Sequence, residues 1–161
     1  MIKKIVSGGQ RGADQGGLDA GYCCDIETGG WAPKGYLTLD GYTPNLSLFS
    51  VKEHNSPYYA PRTFANVKDS DGTIRFAYDF NTKGELCTLK AINQYKKPYF
   101  DVDLNKEITN EIINDIIDWI RVNKIEILNV AGNAGNTKDK SLDIHFKVRD
   151  CLIKVLKRLS V

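Results

Sequence analysis

The sequence predicts an α/β fold of three αβα layers, built on a mainly parallel sheet of about five strands. Two observations carry this: short apolar runs alternate with stretches of helical periodicity, and glycine-bearing polar loops follow three of the runs. Ligands of such sheets bind beyond the carboxyl ends of the strands, where the strand order reverses. The three glycine-bearing loops are therefore expected to converge on one crevice.

The first strand is the run at Ile5 and Val6, followed by Ser7-Gly8-Gly9-Gln10-Arg11-Gly12 and a helix over 14–24. A glycine turn that feeds a helix leaves amide N–H groups and the positive helix end aimed at one spot, so an anion is expected there. Neither the Walker lysine-serine pair nor a strict G-x-G-x-x-G is present. The alternative for the bare spacing is a tight turn with close helix packing and no ligand.

A short strand is predicted at 25–28. An irregular region over 29–60 follows, rich in proline, glycine and aromatic residues, among them Trp31, Tyr36 and Tyr42. Loops of this length are uncommon in compact domains and tend to be functional, so a lid or pocket wall is expected. Pro61 opens a helix over 62–68 on which Arg62, Asn66 and Asp69 share a polar face. A strand at 73–78, a loop at 79–85, a helix at 86–95 and a strand at 98–102 come next. Ile113, Ile116, Ile117 and Ile120 form an apolar stripe on a helix over 109–122. The last strand, 125–130, runs into the polar loop Ala131-Gly132-Asn133-Ala134-Gly135-Asn136-Thr137, and a helix over 141–159 closes the chain.

At 161 residues one domain is expected over 1–161. A net charge of +2 demands neither nucleic acid nor a membrane surface as partner. No apolar stretch approaches a membrane span, and no leader is read before the first strand, so a cytoplasmic protein is expected. Cys23, Cys24, Cys87 and Cys151 lack metal-ligand spacing, and His54 and His145 have no partner pattern; no metal site and no catalytic residue is predicted. Arg11 and Lys34 are candidate phosphate cations. Arg62 reads either as a ligand contact or as the partner of Asp69 or Asp71. Trp31 and Tyr36 read either as stacking faces for a flat ring or as anchors of the long region.

Four motifs in order, Gly8-Gly9-Gln10-x-Gly12-x-Asp14, Gly29-Gly30-Trp31-x-Pro33-Lys34-Gly35 with Asp40-Gly41, Arg62-Thr63-x-x-Asn66-Val67-x-x-Ser70-Asp71-Gly72-Thr73, and Leu128-Asn129-Val130-Ala131-Gly132, cover nearly the whole chain. Together they resemble the molybdenum carrier family, a YpsA-like branch of the SLOG superfamily of Rossmann-like nucleotide-binding proteins. The resemblance implies a homo-oligomer, dimer or tetramer, that binds a phosphorylated pterin, the molybdenum cofactor, as cargo and catalyses no reaction.

By this similarity Gly8, Gly9, Gln10, Gly12 and Asp14 form the first ligand loop, and Lys34 and Gly35 contribute from the long region. Arg62, Thr63 and Asn66 line one wall, Gly84 and Thr88 fit the family's third loop, and Gly132 with Asn133, Gly135, Asn136 and Thr137 closes the site. The chain departs from the family at Arg11, Gln15, Lys83 and Glu85, and after Gly132. Because these departures fall in ligand loops, two alternatives stay open. One is a protein that binds and sequesters a nucleotide-derived signal, such as an ADP-ribose derivative or a cyclic nucleotide. The other is a nucleotide-base phosphoribohydrolase in which Glu85 assists cleavage.

Overall fold

The computed structural model describes all residues from Met1 to Val161. Five strands form the central sheet: β1 (Lys4–Val6), β2 (Glu27–Gly29), β7 (Gly72–Ala77), β8 (Tyr99–Asp103) and β9 (Ile127–Gly132). Their order is β2-β1-β9-β7-β8 and every pairing is parallel. This is the Rossmann-like αβα architecture expected. Strand β7 is buried at all six positions, as an interior strand covered on both faces must be.

Helices α1 (Ala13–Cys23), α4 (Asn110–Val122) and α5 (Lys138–Leu159) pack together, and α2 (Tyr59–Lys68) packs with α3 (Lys83–Tyr95). The α4 stripe, Ile113, Ile116, Ile117 and Ile120, joins Ile144, Val148, Leu152 and Val155 of α5 in the main core. Gly17 lies close against Val130, and Gly16 against the backbone of His145, so the glycines of α1 let it nest between sheet and α5.

Side-chain caps set the starts of α3 and α5, whereas α2 begins at Tyr59, before Pro61, with no side-chain cap. Thr82 Oγ1 accepts the Glu85 N–H, and Thr137 Oγ1 accepts the Lys140 N–H, so α3 and α5 each begin three residues before the predicted boundary. The second strand sits later than predicted because Asp25 takes a left-handed turn, φ 53°, after α1.

The region expected to be irregular has small elements of its own. β3 (Trp31–Ala32) pairs in parallel with β6 (Lys52–Glu53), and β4 (Leu37–Thr38) forms a hairpin with β5 (Gly41–Tyr42). A 3-10 turn, Pro44–Phe49, brings Leu46 into a cluster with Ala32, Val51 and Leu18 of α1. Apolar anchoring thus fixes this region to the α1 side of the domain. Of residues 29–60, only Leu39, Tyr59 and Ala60 reach the cleft described next.

Candidate functional site

A cleft of about 700 Å³ opens beyond the carboxyl ends of β1, β7 and β9. Its walls come from Gln10 and Asp14, from the first turns of α2 and α3, and from the β9–α5 loop. The sheet order explains the place: β9 enters between β1 and β7, and the chain leaves those strands in opposite directions, which opens a crevice at the strand ends.

Four amides of the first glycine loop and the start of α1 are bonded within the protein. The Gly9 N–H donates to Ser7 Oγ, the Gln10 N–H to Asp14 Oδ2, the Arg11 N–H to Gln10 Oε1 and the Ala13 N–H to Asn133 O. Asp14, only 4% exposed, supplies from within the anion that the start of α1 favours. Burial pushes its carboxyl above the usual range, and the Arg62 guanidinium pulls against that shift. Gly12, at φ 85°, lies so close to the backbone of Asn133 and Ala134 that a Cβ would sit 2.5 Å from Asn133 O. Gly8, Gly9 and Gly12 thus lie close to Arg62, to Leu46 and to the Asn133–Ala134 backbone respectively.

Arg62 enters the cleft from α2. Its Nη1 reaches Asp14 Oδ2 at 3.4 Å, its Nε has no partner, and its guanidinium lies 5.5 Å from the centre of the Tyr59 ring. The space exists because residue 8 is glycine: a Cβ there would fall 1.6 Å from Arg62 Nη1. Its carboxylate partner is therefore Asp14. Asp69 instead receives Trp31 Nε1–H, and Asp71 Oδ2 receives the N–H groups of Glu126 and Ile127.

Several expected site residues serve the framework. Arg11 bridges Asp40 Oδ1 at 2.9 Å and the Gly135 carbonyl at 3.0 Å, tying the 29–60 region to the β9–α5 loop. Asn66 accepts the Trp31 N–H and donates to the Trp31 carbonyl, so it clamps β3 to α2. Lys34 is exposed away from the cleft, and the Gly35 N–H is bound to Glu53 Oε1. Thr137 caps α5. Gln10, Asp14, Arg62, Thr63, Gly84, Thr88, Gly132, Asn133, Gly135 and Asn136 do line the cleft. Among them Gly132, at φ 149°, must be glycine, since a Cβ would meet Phe76 O at 2.0 Å.

Cleft residues outside the predicted set include Tyr78, Lys83, Glu85 and Lys140. Glu85, 4% exposed, accepts hydrogen bonds at Oε2 from Thr82 Oγ1 (2.9 Å) and Asn133 Nδ2 (3.0 Å). Burial raises its carboxyl above the ordinary range, those two donors opposing the shift. Asn133 is the hub, because its Oδ1 accepts the Tyr78 and Asp79 N–H groups while its Nδ2 donates to Glu85 and to the Asp79 carbonyl. Lys140 Nζ lies 4.1 Å from the Tyr78 ring centre, a cation–π contact at the cleft wall. Thr82-x-x-Glu85 has the sequence of a capping box, with the Glu85 carboxylate taking the Thr82 hydroxyl in place of its backbone N–H, and that pattern was the signal available for placing Glu85 in the first turn of α3.

The sequence pattern of the circularly permutated YpsA SLOG family matches residues 5–156. Among solved structures, the chain is similar to a "Putative molybdenum carrier protein" from Syntrophus aciditrophicus SB. The two are 32% identical over 99% of this chain and 96% of that one, with a TM-score of 0.83. No curated protein matches the chain.

Proposed function

The chain belongs to the circularly permutated YpsA SLOG family, and from that premise we propose that it is a carrier, which holds a phosphorylated small molecule of the molybdenum cofactor class in its cleft and releases it unchanged. The observation that carries this reading is Arg62: a guanidinium at the cleft wall with one long 3.4 Å contact and an unpartnered Nε. A planar cation with spare donors suits an oxyanion. Lys140, Lys83 and the first turn of α3, where Gly84 faces open space, add to the same end of the argument. The cleft volume lies within the range of small-molecule pockets.

The proposal extends to the setting. The whole chain acts as one SLOG-type domain, assembles as a homo-oligomer, and works in the cytoplasm. The apolar side chains of Tyr42, Leu48 and Tyr58, each more than 70% exposed, support a self-association surface. Four unpaired cysteines suit a reducing compartment.

The test is native mass spectrometry of the freshly purified protein, with molybdenum measured per chain and the heat-released molecule identified by mass. A pterin phosphate with or without molybdenum is the expected cargo. Arg62→Ala should retain it at least about tenfold less well, as the loss of a charged hydrogen bond implies. A protein that carries no such molecule, and binds no phosphate monoester when offered one, would end the carrier reading; an intact adenine nucleotide would redirect it to nucleotide signals.

A further inference from the structure

Among the residues that line the cleft, Glu85 is the buried carboxylate that lacks a cation. Asp14 has Arg62. The nearby Arg75 spends two nitrogens on Asp101 and gives the third to the Glu85 backbone carbonyl rather than to its carboxyl group. Both donors that do reach the side chain, Thr82 Oγ1 and Asn133 Nδ2, converge on Oε2. Oε1 receives no donor from the protein.

Oε1 is not among the sealed polar atoms of the protein, so its free acceptor capacity faces the cleft, where water or a ligand reaches it. A ligand donor that displaces that water gains a charge-assisted hydrogen bond without disturbing Thr82 or Asn133. The opposite chemistry, spare donors for an oxyanion, lies on Arg62 and Lys140 of the same cleft. One ligand answering both features carries a phosphate and an N–H edge.

Building on the carrier reading above, we propose that Glu85 Oε1 accepts a hydrogen bond from a ring N–H of the ligand. The cleft is thereby selective for phosphorylated heterocycles with a cyclic amide or amidine edge, the edge shared by guanine and pterin rings. Glu85 is the specificity residue and Arg62 the affinity residue. Thr82 and Asn133 are positioning residues, because by occupying Oε2 they leave Oε1 to the ligand.

Calorimetry on the full chain tests this with four probes: GMP, which has the N–H edge; purine riboside 5′-monophosphate, the same ring system without it; ribose 5-phosphate; and inorganic phosphate. GMP is expected to bind at least about tenfold tighter than purine riboside monophosphate, the difference one charged hydrogen bond makes. In Glu85→Gln the amide oxygen must face Thr82 and Asn133, which turns the NH2 to the cleft. This variant should lose the preference for GMP while still binding ribose 5-phosphate like the parent chain, and a thermal melt will show that it folds.

Equal affinity for GMP and purine riboside monophosphate, or a preference that survives Glu85→Gln, would overturn the inference and leave the carrier reading standing. Ribose 5-phosphate binding as tightly as GMP, and weakened by Glu85→Gln, would assign the carboxylate to sugar hydroxyls and overturn the ring assignment. Failure of all four probes to bind would overturn this inference, and joined to a purified protein that carries no pterin phosphate it would end the carrier reading too.

Discussion

Arg75, 3% exposed in β7, forms a two-armed bond with Asp101 of β8, Nε to Oδ1 and Nη2 to Oδ2, both at 2.7 Å. The rings of Phe80 and Tyr99 lie 5.0 and 5.5 Å from the guanidinium, and its remaining nitrogen holds the Glu85 carbonyl. The pair thus joins the last sheet pairing to the first turn of α3. Asp101→Asn removes the counter-charge and leaves a buried cation, so a loss of about 2–4 kcal/mol in urea unfolding is expected. Arg75→Met, which removes that cation, should cost less. Equal costs would mean that the charge is matched elsewhere.

Asp14 and Glu85 set a pH dependence of opposite sign to ordinary salt-bridged carboxylates. Both have folded-state pKa values raised above 3.8 and 4.5, their unfolded references, chiefly by burial. The folded chain therefore holds these protons more tightly. Their contribution to stability is fully present below the reference values and is lost as pH rises through the folded-state values. Glu85→Gln should be more stable than the parent chain at pH 8, with the gain vanishing toward pH 4. Denaturant unfolding of both proteins across that range checks it; a gain that grows toward low pH would show the sign to be wrong.

Asn66 and Lys34 separate framework from cleft. Asn66 is 2% exposed and satisfies both backbone groups of Trp31, so Asn66→Ala leaves buried polar groups unpaired, at a cost of about 2–3 kcal/mol. Lys34→Ala removes an exposed charge outside the cleft and should change stability by less than about 0.5 kcal/mol. It should also leave phosphate monoester affinity within about twofold, whereas Arg62→Ala lowers it about tenfold or more. A calorimetric titration in which Lys34→Ala is the more damaging variant would reverse these roles.

The cysteines should react in order of exposure. Cys151 faces the core from α5 and burial pushes its thiol up to about 12, while Cys23 is exposed. Iodoacetamide at pH 8 should label Cys23 in the native protein and Cys151 only after denaturation. Cys87, half-buried in the cleft wall, should label slowly and be protected by a bound ligand. Peptide mass mapping over time reads all three, and early labelling of Cys151 would contradict its packing.

The architecture was legible in the sequence because its strongest signals are periodic. The isoleucine stripe of α4 and the glycine loops after β1 and β9 translate directly into a helix face and sheet-end turns. The direction in which loop side chains point was not legible. Asp14 looked like one more ligand residue, yet it closes its own helix end by taking the Gln10 amide, while Ser7 Oγ and Gln10 Oε1 take the amides of Gly9 and Arg11. Lys34 and Trp31 share a motif with Gly30, but pairing of β3 with β6 and the Asn66 clamp turn that segment toward the framework. Glu85 was read at the end of a loop, as the carboxylate of a hydrolase alternative; that its Oε2 is taken by Thr82 and Asn133 while Oε1 stays free follows only from how α3 starts.

Strand β9 lies between β1 and β7, yet it begins 121 residues after β1 ends, at Ile127 following Val6. During synthesis the ribosome delivers two half-sheets, β2–β1 and β7–β8, with no register between them until residues 127–132 emerge. Closing so long a separation is slow and leaves strand edges open in the meantime. A nascent chain should therefore depend on holding chaperones until almost all of it is translated. The cleft, whose floor is the end of β9, is made last and all at once.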